Sequence, residues 1–194
     1  MNAEEGRSHL LQQFVGCWEK LDGFCLDGNL DSLASHFSTG EKNQSGGKLW
    51  RPVAQVTDPS MLDQLYAKLP ARFPPLYEQL VLTYRWADVD LGAYRLLGNP
   101  LGPNFSGLLG KMLKDKFLSA FLLKSGFIPF GKGPDIDYDP VCFDLKSRKK
   151  NREFSIVKLE HEEILCNERI RVVAELAPTF EQLLRTTIEL ANRT

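Results

Sequence analysis

Three aspartates at alternate positions, Asp135, Asp137 and Asp139, follow Gly133 and precede Pro140. Oxygen ligands at that spacing can wrap a calcium ion. A calcium loop counted from Asp135 needs glycine at its sixth position and glutamate at its twelfth, and Pro140 and Lys146 stand there instead. The spacing therefore predicts an Asp- and Pro-rich hairpin turn. The second cluster able to move protons or hold a metal is His161 with Glu160, Glu162 and Glu163. On an extended strand His161 and Glu163 would share a face. The other two histidines, His9 and His36, lie far off in sequence, so neither a metal nor an acid–base site is expected here.

Nucleophilic catalysis needs an activated serine or cysteine, and no G-x-S-x-G elbow or recognisable cysteine signature is present. The segment GPNFSGLLGK at Gly102–Lys111 has the glycines of a phosphate loop but lacks the G-K-[ST] ending. It is expected to be a plain loop entering a helix. Cys17, Cys25, Cys142 and Cys166 show no C-x-x-C pairing, which excludes zinc-ribbon spacing and predicts reduced, mostly buried thiols; an approach of Cys17 to Cys25 stays open. No catalytic residue, metal or cofactor is assigned. Lys146, Arg148 and Lys149 belong to a basic run, KSRKKNR, that reads as a solvated hairpin tip and is the best local electrostatic candidate for a partner contact.

Periodicity supplies the elements that must position these residues. Leu10, Leu11, Phe14, Val15, Trp18 and Leu21 recur at helical spacing and predict a helix over Ala3–Leu21. Asp27–Asp58 is polar and Gly-rich, with Gly40–Lys48 composed as an exposed loop. Asp58 and Pro59 suit the N-cap and first position of a helix ending at Leu69-Pro70, and Pro75–Tyr84 forms another. Strands are expected at Gly92–Gly98, Phe127–Phe130, Val141–Leu145, Phe154–Leu159 and Arg169–Leu176, with a helix over Leu108–Lys124 between the first two. A last helix runs from Pro178 to Asn192, with Thr179 as its capping residue. Helices, then mostly consecutive strands, then a helix point to an α+β fold with an antiparallel sheet.

The chain has 194 residues, 43% hydrophobic and 25% charged, with a net charge of −1. That is enough for one ordinary domain with an appendage. Near-neutrality gives no reason to expect nucleic acid or an anionic membrane as a partner. The early Glu4 and Glu5 do not suit a secretory signal, so a cytoplasmic home is expected.

Four stretches resemble the SUKH superfamily, which includes fungal cell-wall glucan-synthesis regulators and many bacterial toxin-immunity proteins. They are FIPFGKGPDIDYDPVCFDL at Phe127–Leu145, IVKLEHEE at Ile156–Glu163, LAPTFEQLLRTTI at Leu176–Ile188, and the helix pair LDQLYAKLPARFPPLYEQLVLTYRW. The family's Gly-rich turn after the second helix is replaced here by Trp86-Ala87-Asp88. The resemblance implies a twisted antiparallel sheet flanked by helices over residues 58–194, with 1–57 as an N-terminal helix-and-loop extension packed on it. It also implies a non-enzymatic binding protein: an immunity protein that sterically covers a cognate toxin, with a scaffold or regulatory adaptor as the alternative and a small-ligand protein or enzyme as a second one. The family's proposed recognition surface lies near Trp86, Asp88 and Asp90; tryptophan is enriched at interface hot spots but is also a common core residue, and burial is the favoured reading of Trp86.

Overall fold

The computed structural model describes residues 3–22, 25–26, 38–42, 48–100, 102, 104–134 and 136–193. Helix α1 spans Ala3–Asp22 and buries Leu10, Leu11, Phe14 and Trp18 against the body of the protein. Its Trp18 ring meets Trp86 edge-on, with centroids 5.7 Å apart. The apolar face of α1 therefore belongs to one continuous core shared with the rest of the chain. Strands β1 (Cys25–Leu26), β2 (Ser38–Lys42) and β3 (Lys48–Trp50) form a small sheet in the order β1-β3-β2. The exposed-loop expectation for Gly40–Lys48 is thus corrected at both ends, where residues 40–42 and 48 are strand; residues 43–47 lie outside those described.

Strand β4 (Val53–Ala54) pairs with β5 (Tyr84–Arg85). Between them Asp58 Oδ1 accepts the Ser60 N–H at 2.9 Å and starts a 3-10 turn, Pro59–Leu62, that runs into the single-turn helix α2 (Asp63–Tyr66). The capping signal was legible, but the helix is shorter than its apolar spacing suggested. Helix α3 (Pro75–Thr83) begins at its proline as expected and buries Leu76, Tyr77, Leu80 and Val81.

The main sheet has six strands: β6 (Val89–Asp90), β7 (Arg95–Leu96), β8 (Phe127–Lys132), β9 (Pro140–Asp144), β10 (Ser155–Leu159) and β11 (Val172–Ala177). They lie side by side in chain order, every neighbour antiparallel. Helices α4 (Ser106–Met112) and α5 (Lys116–Lys124) join β7 to β8, and α6 (His161–Asn167) joins β10 to β11. Helix α7 (Phe180–Ala191) closes the chain, its Thr179 Oγ1 accepting the Gln182 N–H as the sequence suggested. The α+β architecture with an open antiparallel sheet flanked by helices is therefore present. No described helix is long and apolar enough to cross a membrane.

Both faces of the sheet are covered. Ile128, Phe130, Phe143 and Ile156 share a core with α1, α3 and α7, while Phe127, Cys142, Val157 and Leu159 pack with Leu122 of α5 and Ile164 of α6. Alternate residues thus serve opposite cores, the two-residue period of a strand. This explains why the central strands read as nearly unbroken apolar runs. Cys17 and Cys142 are buried as expected, and Cys166 is exposed; burial pushes the Cys17 thiol up to about 11.

Three expectations change. The strand predicted at Gly92–Gly98 is a hairpin: Asp90 Oδ1 accepts the Gly92 N–H at 3.0 Å, Gly92 takes φ +81°, and only Arg95–Leu96 remains extended. The helix predicted over Leu108–Lys124 breaks at Leu113–Asp115, because Asp115 Oδ1 accepts the Leu118 N–H at 2.9 Å and caps a second helix. The alternation expected in Arg169–Leu176 is interrupted by two irregularities in the β10–β11 register, and Val172 and Val173 are both half exposed, at 51% and 49%.

Arg85 is completely buried, and burial pulls its pKa down. Its Nη1 donates to Val81 O at 2.7 Å, its Nη2 to Thr57 Oγ1 at 2.6 Å, and its guanidinium lies 4.6 Å from the Phe105 ring centre. The charge sits at the C-terminal end of α3, where helix carbonyls carry partial negative charge. Tyr77 Oη, equally buried, has no hydrogen-bond partner among the described residues. Arg85→Ala is expected to cost about 3 kcal/mol, and Tyr77→Phe to gain about 1 kcal/mol by removing an unsatisfied hydroxyl. Thermal unfolding followed by circular dichroism should show the first variant melting below wild type and the second at or above it.

Candidate functional site

The turn joining β8 to β9 is held from several directions. Gly133 N donates to Asp139 O at 2.9 Å and Asp137 N to Pro134 O at 2.9 Å. Asp137 Oδ1 accepts the Asp139 N–H, and Asp137 Oδ2 pairs with Lys158 Nζ of β10 at 3.0 Å. Asp139 Oδ1 takes both the His161 N–H at 2.9 Å and the His161 Nδ1 at 2.8 Å, which fastens the turn to the start of α6. A Cβ on Gly133 would come within 2.0 Å of Asp137 Cγ, so only glycine leaves room for this fold of the turn. Desolvation works to raise the Asp137 carboxyl, but the Asp139 N–H, Lys158 and His161 outweigh it and hold that carboxyl below its ordinary value.

Despite these anchors the turn shows apolar side chains to solvent: Ile136 is 85% exposed and Tyr138 is 60% exposed. The Tyr138 ring has Lys132 Nζ 5.1 Å from its centre and meets His161 edge-on at 6.1 Å. Beside it lies a cleft of about 610 Å³ between α4, α5 and the end of β8. Leu97, Met112, Leu122, Pro129 and Pro140 form its apolar lining, and Asp88, Lys111, Lys114 and Lys132 are its charged side chains together with Asp115. Asp88 Oδ1 accepts the Gly98 N–H at 2.6 Å and an N–H of Lys111 Nζ at 2.7 Å.

The residues singled out from the sequence do not converge. Trp86 is fully buried, its Nε1 donating to Leu97 O at 3.0 Å, so it is a core residue and offers no side-chain surface to a partner. Asp88 does line the cleft. Asp90 caps the β6–β7 hairpin and pairs with Arg95 at 3.1 Å. Register places Asp90, Arg95, Lys132 and Pro140 at one end of the sheet. Lys146, Arg148 and Lys149 follow β9 at the opposite end, where Phe127 and Ser155 flank Asp144. Lys146 lies 5.3 Å from the Phe127 ring centre, Lys149 Nζ donates to Pro178 O at 2.6 Å, and Arg148 is exposed. One flat surface cannot engage both sets through a single small contact.

His161 is not on a strand. It opens α6, so it and Glu163 are not strand-face neighbours, and its ring is committed to Asp139. Glu162 and Glu163 in a first helical turn were the signal for this helix. Asn104 Oδ1 accepts the Ser106 N–H at the start of α4, which answers one of the amides that a phosphate would have used. Asp135 lies outside the described residues, and among those described no three His, Cys, Asp or Glu side chains are grouped to hold a metal. Lys111, Lys132 and Tyr138 were not singled out from the sequence, because isolated lysines and a turn tyrosine carry no spacing signal.

No protein-family model matches this chain, and no curated protein matches it significantly.

The Asp137 shift has a consequence for pH. A carboxyl whose pKa is lower folded than unfolded stabilises the fold above its unfolded value, about 3.9, and loses that contribution as pH falls through the folded value. Protection of the Asp139 amide, taken relative to its intrinsic exchange rate at each pH, should therefore be high at neutral pH and fall in acid. Lys158→Met, which removes one cause of the shift, should move that onset to higher pH.

Proposed function

We propose that this chain is a non-enzymatic protein-binding domain of the SUKH type that neutralises a cognate bacterial toxin by covering it. The observation that carries the reading is the turn Gly133–Asp139: it is fastened by its own amides, by Lys158 and by His161, yet turns Ile136 and Tyr138 outward. Presenting apolar anchors on a pre-ordered loop lowers the entropy lost on association. Tyrosine is among the residues that dominate interface energetics. The turn also falls within one of the four stretches that resemble the family. A preformed surface of this kind acts sterically, and a complex of standard size would bury about 800 Å² on each partner.

Immobilised chain exposed to lysate of its source cells, at low and moderate salt, is expected to retain one stoichiometric protein. That protein should arrest growth when expressed alone and be harmless when co-expressed with this chain. Several substoichiometric proteins without toxicity would overturn the immunity reading in favour of an adaptor. Ile136→Ala with Tyr138→Ala should weaken capture at least about tenfold, since anchors of this kind cost more than 1 kcal/mol each on truncation. The melting temperature should stay near wild type, because both side chains are exposed.

A further inference from the structure

We propose that the cleft beside the turn receives an extended, mainly apolar segment of the protein partner, with one carboxylate side chain of that segment set between Lys114 and Lys132. This rests on the protein-binding reading above and names the chemistry of what is bound. The cleft, about 610 Å³, falls in the size range that buries a compact ligand or several side chains. Tyr138 belongs both to the cleft wall and to the exposed turn, so an occupant of the cleft is continuous with a partner lying on the turn.

Charge decides the occupant's polar group. Asp88 and Lys111 answer each other at 2.7 Å. Asp115 caps α5 by accepting the Leu118 N–H and keeps its negative charge, so Asp88 and Asp115 against Lys111, Lys114 and Lys132 leave the cleft with a net charge of +1. Lys114 and Lys132 have no ion-pair partner among the described residues, and Lys132 is held at the rim by the Tyr138 ring. Two ammonium groups outside any ion pair, in a cleft of net positive charge with an apolar lining, favour a carboxylate carried on an apolar stretch and disfavour a cationic one. The lining also decides how such a segment is held. Pro129 and Pro140 bring no N–H to the cleft, and Gly131 lies so close to β7 that an added Cβ would sit 2.8 Å from Arg95 O. Binding is by side-chain burial, without addition of a strand.

Three dye-labelled nonapeptides of leucine, alanine and proline, differing only in a central Asp, Asn or Lys, test the assignment by fluorescence anisotropy with the full chain. The Asp peptide is expected to bind about fivefold more tightly than the Asn peptide, the Lys peptide to bind weakest, and the differences to shrink as salt rises. Lys114→Glu with Lys132→Glu should invert the order. A Cβ at Gly110, on the cleft wall, meets nothing within 4 Å, so Gly110→Phe can fill the cleft without disturbing the core and should abolish binding. Equal affinities for the Asp and Lys peptides, no binding of any of them, or binding that survives Gly110→Phe would overturn the proposal. If the cellular partner is still captured by Gly110→Phe and by the lysine reversals, the cleft assignment fails while the protein-binding reading stands. If no partner is captured but the peptides bind in the expected order, the cleft's preference for an apolar segment bearing a carboxylate stands while the toxin-neutralising reading fails.

Discussion

Phe130 and Phe143 stack nearly parallel, 4.2 Å between ring centres, on adjacent strands in the middle of the sheet. Tyr77 from α3 and Phe180 from α7 close on that pair, edge-on except for the tilted Tyr77–Phe130 contact, at 5.2 to 6.0 Å. The cluster fixes how α3 and α7 lie on one face, and α1 then packs on both of those helices. Aromatic geometry of this kind is directional. Phe130 sits at the irregularity in the β8–β9 register, between Pro129 and Gly131, just before the turn that joins the two strands.

A strict chain-order sheet follows from the same arrangement. Each strand finds its partner next in sequence, so the long-range closure entropy is small at every step. The helices between strands are insertions on one or other face rather than crossovers. One consequence is that the cleft, the turn and the start of α6 are assembled from segments close together along the chain, apart from Asp88 and Leu97, which come earlier, beside β6 and β7.

Much of this was legible in the sequence where a single physical rule decides. Helical spacing in α1, the Asp58–Pro59 start and the Thr179 cap each rest on local geometry, and each stands in the structure. The errors arose where two local signals compete. Asp115 looks like one more polar residue inside a periodic helix, yet its side chain stops one helix and begins the next. Glu160-His161-Glu162 continues a strand pattern in type, but the carboxylates serve the first turn of α6. The site was less legible still. Trp86 has the composition of an interface anchor and is core, whereas Lys132 and Tyr138 acquire meaning only when β8, β9 and the turn bring them together.

The outer strand β11 exposes two adjacent valines on an edge that no described strand pairs, ordinarily an invitation to another chain. Its register against β10 slips twice within six residues, so its outward amides and carbonyls do not form an even row. A sheet that cannot be copied at its rim resists growth into ordered aggregates at high concentration, even with those valines in water.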